Sequence, residues 1–313
     1  MTERQNKDRK SVDILVIGGG PAGLSAALYA ARSGKKVVVL EKETIGGQMM
    51  VTAVIENMPG GDSDPSVLAD RMKEQAEHFG AQFLRGEVMR VSLNSTPKCV
   101  ETEENVWEAG AVILATGANP RTLGLPGEDA YVGRGLGYCA TCDGPFFAGL
   151  PIYVVGGGDA AFDEGLYLST LSDNVTILYR GHTPRATKLL QERAQASGKI
   201  HVVLNTEVVR LGGDPMLSSF VMRNNVTGKE ETVEGDFGLF IYIGMIPNTS
   251  LYEGQVTLDD AGYIVAGEDT KTNVEGVFAA GDVRKKRVRQ IVGALSDGAT
   301  AAIEAGRYLD QKR

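Results

Sequence analysis

Two cysteines separated by two residues, Cys139 and Cys142, are the best candidates for chemistry in this sequence. They are two of three cysteines in the chain, whereas a structural disulfide framework would need more cysteines, distributed over several loops. A structural zinc site would need about four ligands. No second ligand pair is formed by the remaining cysteine and the histidines, which are Cys99, His78, His182 and His201. The spacing therefore favours a redox dithiol, with no metal site, over a structural pair or half a zinc site.

Asp143 directly follows the second cysteine and could serve the same chemistry. The thiolate is the reactive form of cysteine, and a neighbouring carboxyl group can exchange protons with it. Such a group is needed because reducing a disulfide takes up protons as well as electrons. Asp143 with Gly144 and Pro145 also suits a turn for backbone reasons, and this structural role is compatible with the chemical one.

The first of two glycine-rich turns follows an apolar run at 12–17 and precedes an alanine-rich segment, which predicts strand, turn and helix. In this pattern Gly18 permits the tight turn, Gly20 lets the backbone approach a pyrophosphate, and Gly23 lets helix and strand pack closely. The next predicted strand leads to Glu41, close to the spacing at which a carboxylate meets a ribose hydroxyl. The pattern predicts a dinucleotide site, with an empty structural turn as the alternative.

The second glycine-rich turn contains Gly156, Gly158 and Ala161, the last of which can replace the third glycine. The strand predicted after it ends at Tyr179 and Arg180 rather than at an acidic residue. An arginine in this position suits a 2′-phosphate and favours NADP over NAD, if a nicotinamide cofactor binds here. The alternative is a second Rossmann-like scaffold that has lost its ligand.

The elements that would position these residues form two domains. Two further strands are predicted at 111–114 and 277–280. Their matching patterns place them in one sheet, although they are far apart in sequence. We therefore predict an α/β fold with two Rossmann-like nucleotide-binding domains, the second inserted into the first. The predicted boundaries are 1–123 and 248–313 for the two parts of the outer domain and 124–247 for the inserted domain.

Length, charge and hydrophobicity narrow the class of protein. The 313 residues are enough for about two domains. The formal net charge of −8 disfavours nucleic acid and anionic membrane surfaces as partners. No apolar run reaches the roughly 18 to 20 residues that a transmembrane segment needs, and the start of the sequence lacks the apolar core of a signal peptide. We therefore expect a cytoplasmic protein, in which a CxxC pair favours a catalytic over a structural role.

From about residue 11 to residue 310 the sequence resembles the low-molecular-weight thioredoxin reductases. The resemblance rests on the order and spacing of short motifs, which are GGGPAG at 18–23, GGQ at 46–48, IENMPG at 55–60, ATGA at 115–118, CATCDGPFF at 139–147, GGGDAAFDEG at 156–165, YIGMIPNT at 242–249, GVFAAGD at 276–282 and RQ at 289–290. It implies FAD in the outer domain, NADPH and the redox dithiol in the inserted domain, and a homodimer. It also implies electron transfer between FAD and the dithiol, and on to a thioredoxin-like protein.

The same resemblance implies roles for individual residues. It places the FAD pyrophosphate on Gly18, Gly20 and Gly23, the adenosine ribose on Glu41, the flavin end near Gly47, Gln48 and Asn57, the ribityl chain on Asp282, and the flavin ring at a helix start formed by Arg289, Gln290 and Ile291. In the dithiol, Cys142 would exchange electrons with the flavin, Cys139 would attack the partner's disulfide, and Asp143 would be the acid–base group. The next residues, Phe146 and Phe147, resemble an apolar pair that docks thioredoxin, with ordinary core packing as the alternative.

The motif that binds the nicotinamide phosphate in this family is incomplete here. The family pattern has a histidine followed by two arginines, where this sequence has Tyr179, Arg180 and Gly181. Arg185 is retained further along the chain. Because charged donors are missing from the 2′-phosphate pocket, the sequence predicts that NADPH binds poorly.

Two further departures leave the electron donor open. They are the basic segment 284–287 and Ile291, which stands where the family usually has alanine. The basic segment could meet an acidic protein such as ferredoxin or could be a solvated turn. Tyr179 could stack on an adenine, or on the ring of a second FAD, in place of the phosphate contacts. A different class of function is a redox sensor module, in which the dithiol is oxidised and reduced without turnover of a substrate.

Overall fold

The computed structural model describes residues 8–51, 55, 57–61 and 64–312, which form two compact units. The described residues of unit 1 lie within 8–50, 58–119 and 246–312, and those of unit 2 lie within 51–57 and 120–245. Unit 1 is therefore built from separate stretches of the chain, whereas most of unit 2 is one continuous stretch.

The strands, in chain order, are β1 (Asp8–Ile17), β2 (Val37–Glu41), β3 (Gln82–Arg85), β4 (Val88–Ser92), β5 (Lys98–Thr102), β6 (Asn105–Leu114), β7 (Ala118–Pro120), β8 (Leu136–Gly137), β9 (Ile152–Val155), β10 (Val175–Tyr179), β11 (Ile200–Leu204), β12 (Thr206–Gly212), β13 (Ser219–Asn224), β14 (Glu230–Glu234), β15 (Gly238–Ile241), β16 (Met245–Pro247) and β17 (Val277–Ala279). The helices are α1 (Pro21–Arg32), α2 (Pro65–His78), α3 (Ala140–Asp143), α4 (Asp159–Leu168), α5 (Lys188–Ala196) and α6 (Ile291–Gln311). Within the described part of the chain, none of these helices is both long and apolar enough to cross a membrane.

The main sheet of unit 1 has the strand order β3-β2-β1-β6-β5-β4, and β17 also pairs with β6. The ends of its central strands are buried without alternation, as expected for parallel strands that are covered on both faces. In the register, Ile17 is opposite both Leu40 and Leu114, and Leu114 is opposite Ala279. The carboxyl ends of β1, β2, β6 and β17 therefore meet at one edge, which is where α/β sheets bind their ligands.

Small residues let α1 and α6 pack closely beside this sheet. A Cβ atom on Gly298 of α6 would lie 2.1 Å from the carbonyl oxygen of Ala22 in α1, so glycine is required at this contact. The neighbouring Ala26, Ala301 and Ala302 are fully buried. The alanine-rich composition of both helices is thus explained by close packing.

The larger sheet of unit 2 has the order β11-β10-β9-β15-β8, and its strands are parallel. Val155 at the end of β9 is opposite Leu178 and Ile241. Tyr179, the last residue of β10, and Tyr242, directly after β15, therefore lie at one edge. Strands β12, β13 and β14 form a separate antiparallel sheet.

Two of the passages of the chain between the units lie in two short strands, β7 and β16, which pair with each other. The amide of Arg121 donates to the carbonyl of Gly244 at 2.9 Å, and the amide of Asn248 donates to that of Gly117 at 3.0 Å. In addition, the Thr116 hydroxyl donates to the Asn248 carbonyl and the Asn248 side-chain amide donates to the Thr116 carbonyl, both at 2.8 Å. These two passages of the chain are thus held together.

The prediction of an α/β fold with two Rossmann-like units is confirmed. The two distant segments predicted to share a sheet do so, because β17 pairs in parallel with the end of β6. The helix predicted from about Arg289 begins at Ile291, and Gln290 is its N-cap residue. The difference of two residues is typical of sequence-based helix boundaries.

Candidate functional site

The dithiol lies at the start of the short helix α3, and its two sulfurs are bonded. The Cα atoms of Cys139 and Cys142 are 5.2 Å apart. The Cys139 carbonyl accepts hydrogen bonds from the amides of Cys142, at 3.3 Å, and Asp143, at 3.0 Å. The Thr141 hydroxyl lies 3.4 Å from the Cys139 sulfur and accepts a hydrogen bond of 3.4 Å from the side-chain amide of Asn57. One helical turn therefore holds both sulfurs as a pair that can be reduced and reoxidised.

Asp143 was predicted from its position after the cysteines. It is the last residue of α3 and is buried, with only 8% of its surface exposed. A Cβ atom on Gly137 would lie 2.9 Å from an oxygen of its carboxyl group, so the strand beside the dithiol leaves room for that group only because it has glycine there. Burial next to a disulfide is the setting in which a local proton donor is useful, because bulk water has restricted access. Among the described residues there is no group of three or more His, Cys, Asp or Glu that could hold a metal ion.

The two phenylalanines after the dithiol have different environments. Phe146 is 51% exposed, whereas the ring of Phe147 packs edge-on against Phe240 with the ring centroids 5.8 Å apart. Phe147 thus belongs to the core of unit 2. Phe146 is the member of the pair that offers apolar surface beside the dithiol.

Tyr242 is a residue near the dithiol that the sequence did not single out. Its phenol oxygen accepts a hydrogen bond of 2.6 Å from the backbone amide of Ala140, the residue directly after Cys139. Burial, followed by the charge of Glu164, raises the pKa of Tyr242 far above its usual range. The phenol is therefore neutral, and its only sequence signal was membership of the YIGMIPNT motif.

The first glycine-rich turn connects β1 to α1, and its three glycines differ in what surrounds them. A Cβ atom on Gly18, whose φ is +109°, would lie 2.3 Å from the Ala115 carbonyl oxygen, and one on Gly23 would lie 1.9 Å from that of Gly18. Gly20 has an ordinary φ of −74°, and the nearest atom to its Cβ would be 3.9 Å away. Gly18 and Gly23 are thus required by the chain itself, while the space at Gly20 suits a pyrophosphate that approaches the backbone.

Glu41 ends β2 beside this turn, as predicted. Its carboxylate accepts hydrogen bonds from the amides of Gly19, at 2.6 Å, and Glu43, at 2.9 Å. Each carboxylate oxygen has a further lone pair. These amides fix the carboxylate at the edge of the sheet, where its remaining acceptor capacity fits ribose hydroxyls.

Asp282 follows β17 at the same edge and has a buried carboxyl oxygen, Oδ1, without a hydrogen-bond partner among the described residues. Burial raises the pKa of Asp282, although the charges of Lys286 and Arg289 oppose this effect. A buried polar atom without a partner is costly unless a ligand or water satisfies it. Asp282 therefore fits the ribityl hydroxyls of FAD, the role that the family resemblance implies for it.

Three of the remaining residues assigned to the flavin end, Gly47, Gln48 and Arg289, lie on other segments of unit 1. Gly47 approaches the turn closely, since its Cβ would lie 3.1 Å from the Gly20 Cα atom. The Gln48 side-chain amide donates to the Asn119 side chain at 2.9 Å. Arg289 lies just before α6, with its guanidinium 4.3 Å from the centre of the Tyr263 ring. The contacts of Gln48 and Arg289 orient their side chains.

Asp297 on α6 is a second residue that the sequence did not single out. It organises the loop that carries Asp282. Its buried carboxylate accepts two hydrogen bonds from Arg284, at 2.7 and 2.8 Å, and one from Lys286 at 2.9 Å. It also accepts one from the backbone amide of Gly281 at 2.9 Å. Two of the four charges in the basic segment therefore stabilise the fold rather than face a partner, whereas Lys285 and Arg287 are exposed.

The second glycine-rich turn connects β9 to α4 in unit 2. Gly158 has a φ of −98°, and no atom lies within 4 Å of the position that its Cβ would occupy. Ala161 lies in the first turn of α4 and is fully buried. As in unit 1, the middle of the turn has space for a pyrophosphate at the start of a helix.

Tyr179 lies flat against this second turn. A Cβ atom on Gly157 would lie 2.2 Å from the Tyr179 ring, and one on Gly181 would lie 2.8 Å from the same ring. Arg180 and Arg185 are exposed, and the backbone amide of Arg185 donates to the Gly157 carbonyl at 2.6 Å. The edge therefore presents an aromatic ring with two flexible cations, in place of a cluster of charged donors.

Comparison with known proteins identifies the family. Residues 12–298 match the family described as pyridine nucleotide-disulphide oxidoreductase. The thioredoxin reductase of Peptoclostridium acidaminophilum is 44% identical over 307 residues, which cover 95% of this chain and 97% of that protein. The thioredoxin reductase structure from Streptococcus pyogenes has a TM-score of 0.88 at 41% identity and covers 96% of this chain and 99% of that chain.

A more distant structure is that of the atypical thioredoxin reductase TRi from Desulfovibrio vulgaris Hildenborough, with 32% identity and a TM-score of 0.52, covering 96% of this chain and 98% of that chain. The chain belongs to the low-molecular-weight thioredoxin reductase family and is an FAD-dependent disulfide oxidoreductase. The resemblance inferred from the motifs is thereby confirmed.

Proposed function

We propose that this thioredoxin reductase relative passes electrons between FAD held in unit 1 and the Cys139–Cys142 pair of unit 2, and on to a thioredoxin-like protein. The observation that carries the proposal is the buried Asp143 beside a closed CxxC disulfide. A disulfide that only supports the fold needs no proton donor, whereas one that is opened in each cycle does. When bound, FAD supplies a centre that can take up or release two electrons.

The FAD site is proposed from the edge of the unit 1 sheet. Gly18, Gly20 and Gly23 form the turn that would receive the pyrophosphate, and Glu41 would hold the ribose. Support for this assignment comes from the space at Gly20 and from the unpartnered oxygen of Asp282. The residues proposed for the flavin end are Gly47, Gln48, Asn57, Arg289, Gln290 and Ile291.

The two cysteines are proposed to have different roles. The Cys139 thiolate attacks the partner's disulfide, which forms a mixed disulfide and releases one partner thiolate. Cys142 then attacks the Cys139 sulfur, so that the partner leaves with its second thiolate and the Cys139–Cys142 bond is restored. The partner gains two electrons and the dithiol loses two. Asp143 accepts the proton that a cysteine thiol gives up and can return one to a leaving thiolate.

The donor of electrons is proposed to differ from the NADPH typical of the family. The second glycine-rich turn, with Gly156, Gly158 and Ala161, keeps space for a pyrophosphate, but Tyr179 covers the position next to it. Arg180 and Arg185 are the cations left to meet a 2′-phosphate. Losing one charge-assisted contact costs about 1.5 to 3 kcal/mol, which corresponds to one to two decades in affinity.

Two alternatives to NADPH are a second FAD in unit 2, which would relay electrons from an external reductant, and a protein donor that meets the basic segment of unit 1. An aromatic ring suits stacking on the ring system of a second FAD. Reduced ferredoxin, an acidic protein, would need exposed positive charge, and the basic segment offers Lys285 and Arg287 for that purpose. Since Arg284 and Lys286 are bound to Asp297, the second FAD is the better supported of the two.

The donor and the partner can be tested with one anaerobic preparation. NADPH, NADH and reduced ferredoxin are added separately, and bleaching of the flavin absorbance near 450 nm identifies the donor. Thioredoxin and excess donor are then added, and turnover is measured by thiol release. Bleaching by a dithiol without any turnover would support the redox sensor module instead. A chain that binds no flavin would exclude both functions.

The assembly and location are proposed from the family. We expect a homodimer in the cytoplasm, with neither nucleic acid nor membrane as a partner. Light scattering of the purified protein would test the dimer, and a monomer at micromolar concentration would contradict it.

A further inference from the structure

Tyr242 touches the backbone of the dithiol turn, yet none of the roles described above requires its hydroxyl group. It follows β15 directly, and its amide donates to the Val155 carbonyl at 2.7 Å. Its backbone is therefore fixed at the edge of the unit 2 sheet. From there the side chain reaches Ala140, whose amide donates to the phenol oxygen at 2.6 Å.

We propose that Tyr242 is a positioning residue for the redox reaction, and that its hydroxyl stabilises the closed form of the Cys139–Cys142 pair by holding the amide of Ala140. The inference rests on the proposed function only in taking this pair as the one that is reduced. Ala140 begins α3, and the first amides of a helix have no partner within the helix. The phenol supplies the partner from a strand end 102 residues away in sequence.

The charges of two carboxyl groups also act on the same hydroxyl. Because the phenol oxygen accepts the bond from Ala140, its own proton remains available to another acceptor. The charged groups that face it are Glu164 on α4 and Asp143 on α3. Burial raises the pKa of Glu164, and the charge of Asp163 adds to this effect. Glu164 can therefore hold a proton near the dithiol at a pH where an exposed glutamate would not.

Opening the disulfide changes what the turn must hold. Two electrons break the sulfur–sulfur bond and leave two thiolates, and each thiolate takes up one proton to become a thiol. Cys139 is bonded directly to Ala140, so a fixed Ala140 amide restrains the cysteine that has to move. A net hydrogen bond of this kind changes an equilibrium by about threefold to tenfold. We expect the phenol to favour the disulfide by that factor.

The test is the equilibrium between the disulfide and the dithiol in glutathione buffers. Two molecules of glutathione are oxidised to one glutathione disulfide as the pair opens, so both electrons are accounted for. After alkylation, mass spectrometry of the peptide that contains 139–142 separates this pair from Cys99. Tyr242→Phe should shift the equilibrium towards the dithiol by about threefold to tenfold. Tyr153→Phe removes a hydroxyl from the same unit and should change it by less than twofold.

Two more variants separate the hydroxyl from the ring and from the carboxyl groups. Tyr242→Ala should shift the equilibrium at least as far as Tyr242→Phe. Glu164→Gln should change its pH dependence, and the combination with Tyr242→Phe should change it no further than one variant alone, because the two groups act together. An equilibrium in Tyr242→Phe within twofold of the parent across the pH range would overturn the proposal, as would a shift that occurs in Tyr242→Ala alone. The titration of the parent protein tests whether Cys139 and Cys142 are redox-active. A failure of the proposed function can therefore be told apart from a failure of the inference about Tyr242.

Discussion

Tyr179 stands where the family motif has a histidine, and its ring also explains why Gly181 cannot simply be replaced. Its ring would lie 2.8 Å from a Cβ atom on Gly181. An arginine at position 181 therefore requires the ring to move or to become smaller. The two departures from the family motif are thus one structural change, because the larger ring and the missing side chain share one volume.

The double variant Tyr179→His, Gly181→Arg should bind NADPH about ten to a hundred times more tightly than the parent, because it restores a charge-assisted contact. Gly181→Arg alone should gain less, since the tyrosine ring obstructs it. Calorimetric titration with NADPH measures the dissociation constants. Gln195→Arg adds the same charge elsewhere in unit 2 and serves as the control. Tight NADPH binding by the parent would contradict the prediction that NADPH binds this protein poorly.

The roles of the cysteines predict different products from two single substitutions. Cys142→Ser leaves an attacking thiol at Cys139 that cannot be released, so a mixed disulfide with thioredoxin should accumulate. Cys139→Ser should lose turnover without this adduct, and Cys99→Ser should retain turnover. Non-reducing electrophoresis and mass spectrometry detect the adduct. Full turnover in either dithiol variant would show that the active pair is elsewhere.

The residues that the sequence revealed are those whose partners are close along the chain. Cys139, Cys142 and Asp143 are contiguous, so their chemistry is visible in one motif. Tyr242 was missed because its partner is 102 residues away, and a tyrosine after an apolar strand is also typical of ordinary core. Asp297 was missed although Arg284 is only 13 positions away, because an acidic residue in an alanine-rich helix does not by itself indicate a partner.

At the scale of elements, each turn from strand to helix combines glycines that the chain needs with one that it does not. Gly18 and Gly23 would meet backbone atoms if they carried a side chain, whereas Gly20 and Gly158 would not. Sequence reasoning assigned these functions from spacing alone. It could not show that the turn of unit 2 keeps its space although the phosphate-binding motif after the following strand is incomplete.

Gly20→Val should therefore fold normally and lose FAD, because its side chain would fill the space proposed for the pyrophosphate. Gly158→Val is the matched change in unit 2 and should leave one FAD per chain in place. Flavin is measured per folded chain after gel filtration. Unchanged flavin in folded Gly20→Val would place the FAD site elsewhere. A fall from two FAD to one in Gly158→Val would support a second FAD in unit 2.

The contact between α6 and the loop before it depends on pH. Burial alone would raise the pKa of Asp297, but the hydrogen bonds and charges of Arg284 and Lys286 outweigh burial and lower it. Because the pKa is lower in the folded than in the unfolded chain, the stabilisation is present above about pH 3.8 and is lost as the pH falls further. Removing the carboxylate leaves two cations without their counter-ion.

Asp297→Ala should lower the free energy of unfolding of unit 1 by about 3 to 5 kcal/mol at neutral pH, as expected when one partner of a buried ion pair is removed. Glu77→Ala removes an exposed partner of Lys73 on α2 and should cost less than about 1 kcal/mol. Trp107 is the only tryptophan and is buried in unit 1, so its fluorescence reports on unit 1 during urea unfolding. Equal effects of the two changes would contradict a structural role for Asp297.

At the scale of the whole molecule, the paired crossings β7 and β16 predict that unit 1 can exist alone. Replacing 121–244 by an Asn-Gly turn would join Pro120 to Met245 as a two-residue hairpin. The shortened chain should bury Trp107 and bind about one FAD. The same chain with Gly20→Val should fold without FAD. A folded, flavin-free product of the first deletion would argue against FAD in unit 1.

The overall organisation was predictable because α/β units repeat a strong local pattern. Each apolar strand that ends in a glycine-rich turn indicated one Rossmann-like unit, and the matching strands 111–114 and 277–280 indicated that one unit is interrupted. The crossing itself was not predictable in detail. It depends on the reciprocal bonds between Thr116 and Asn248, which join residues 132 positions apart.

Those bonds have an evolutionary consequence. A segment whose two ends are already adjacent can be gained, lost or exchanged with little cost in loop-closure entropy to the host. Recombination near the codons for 120 and 245 would therefore deliver a foreign middle segment to an intact unit 1. Changes in electron donor among relatives could arise by such an exchange as well as by stepwise substitution. Grafting the corresponding segment of an NADPH-dependent relative between β7 and β16 would recreate that event in a single step.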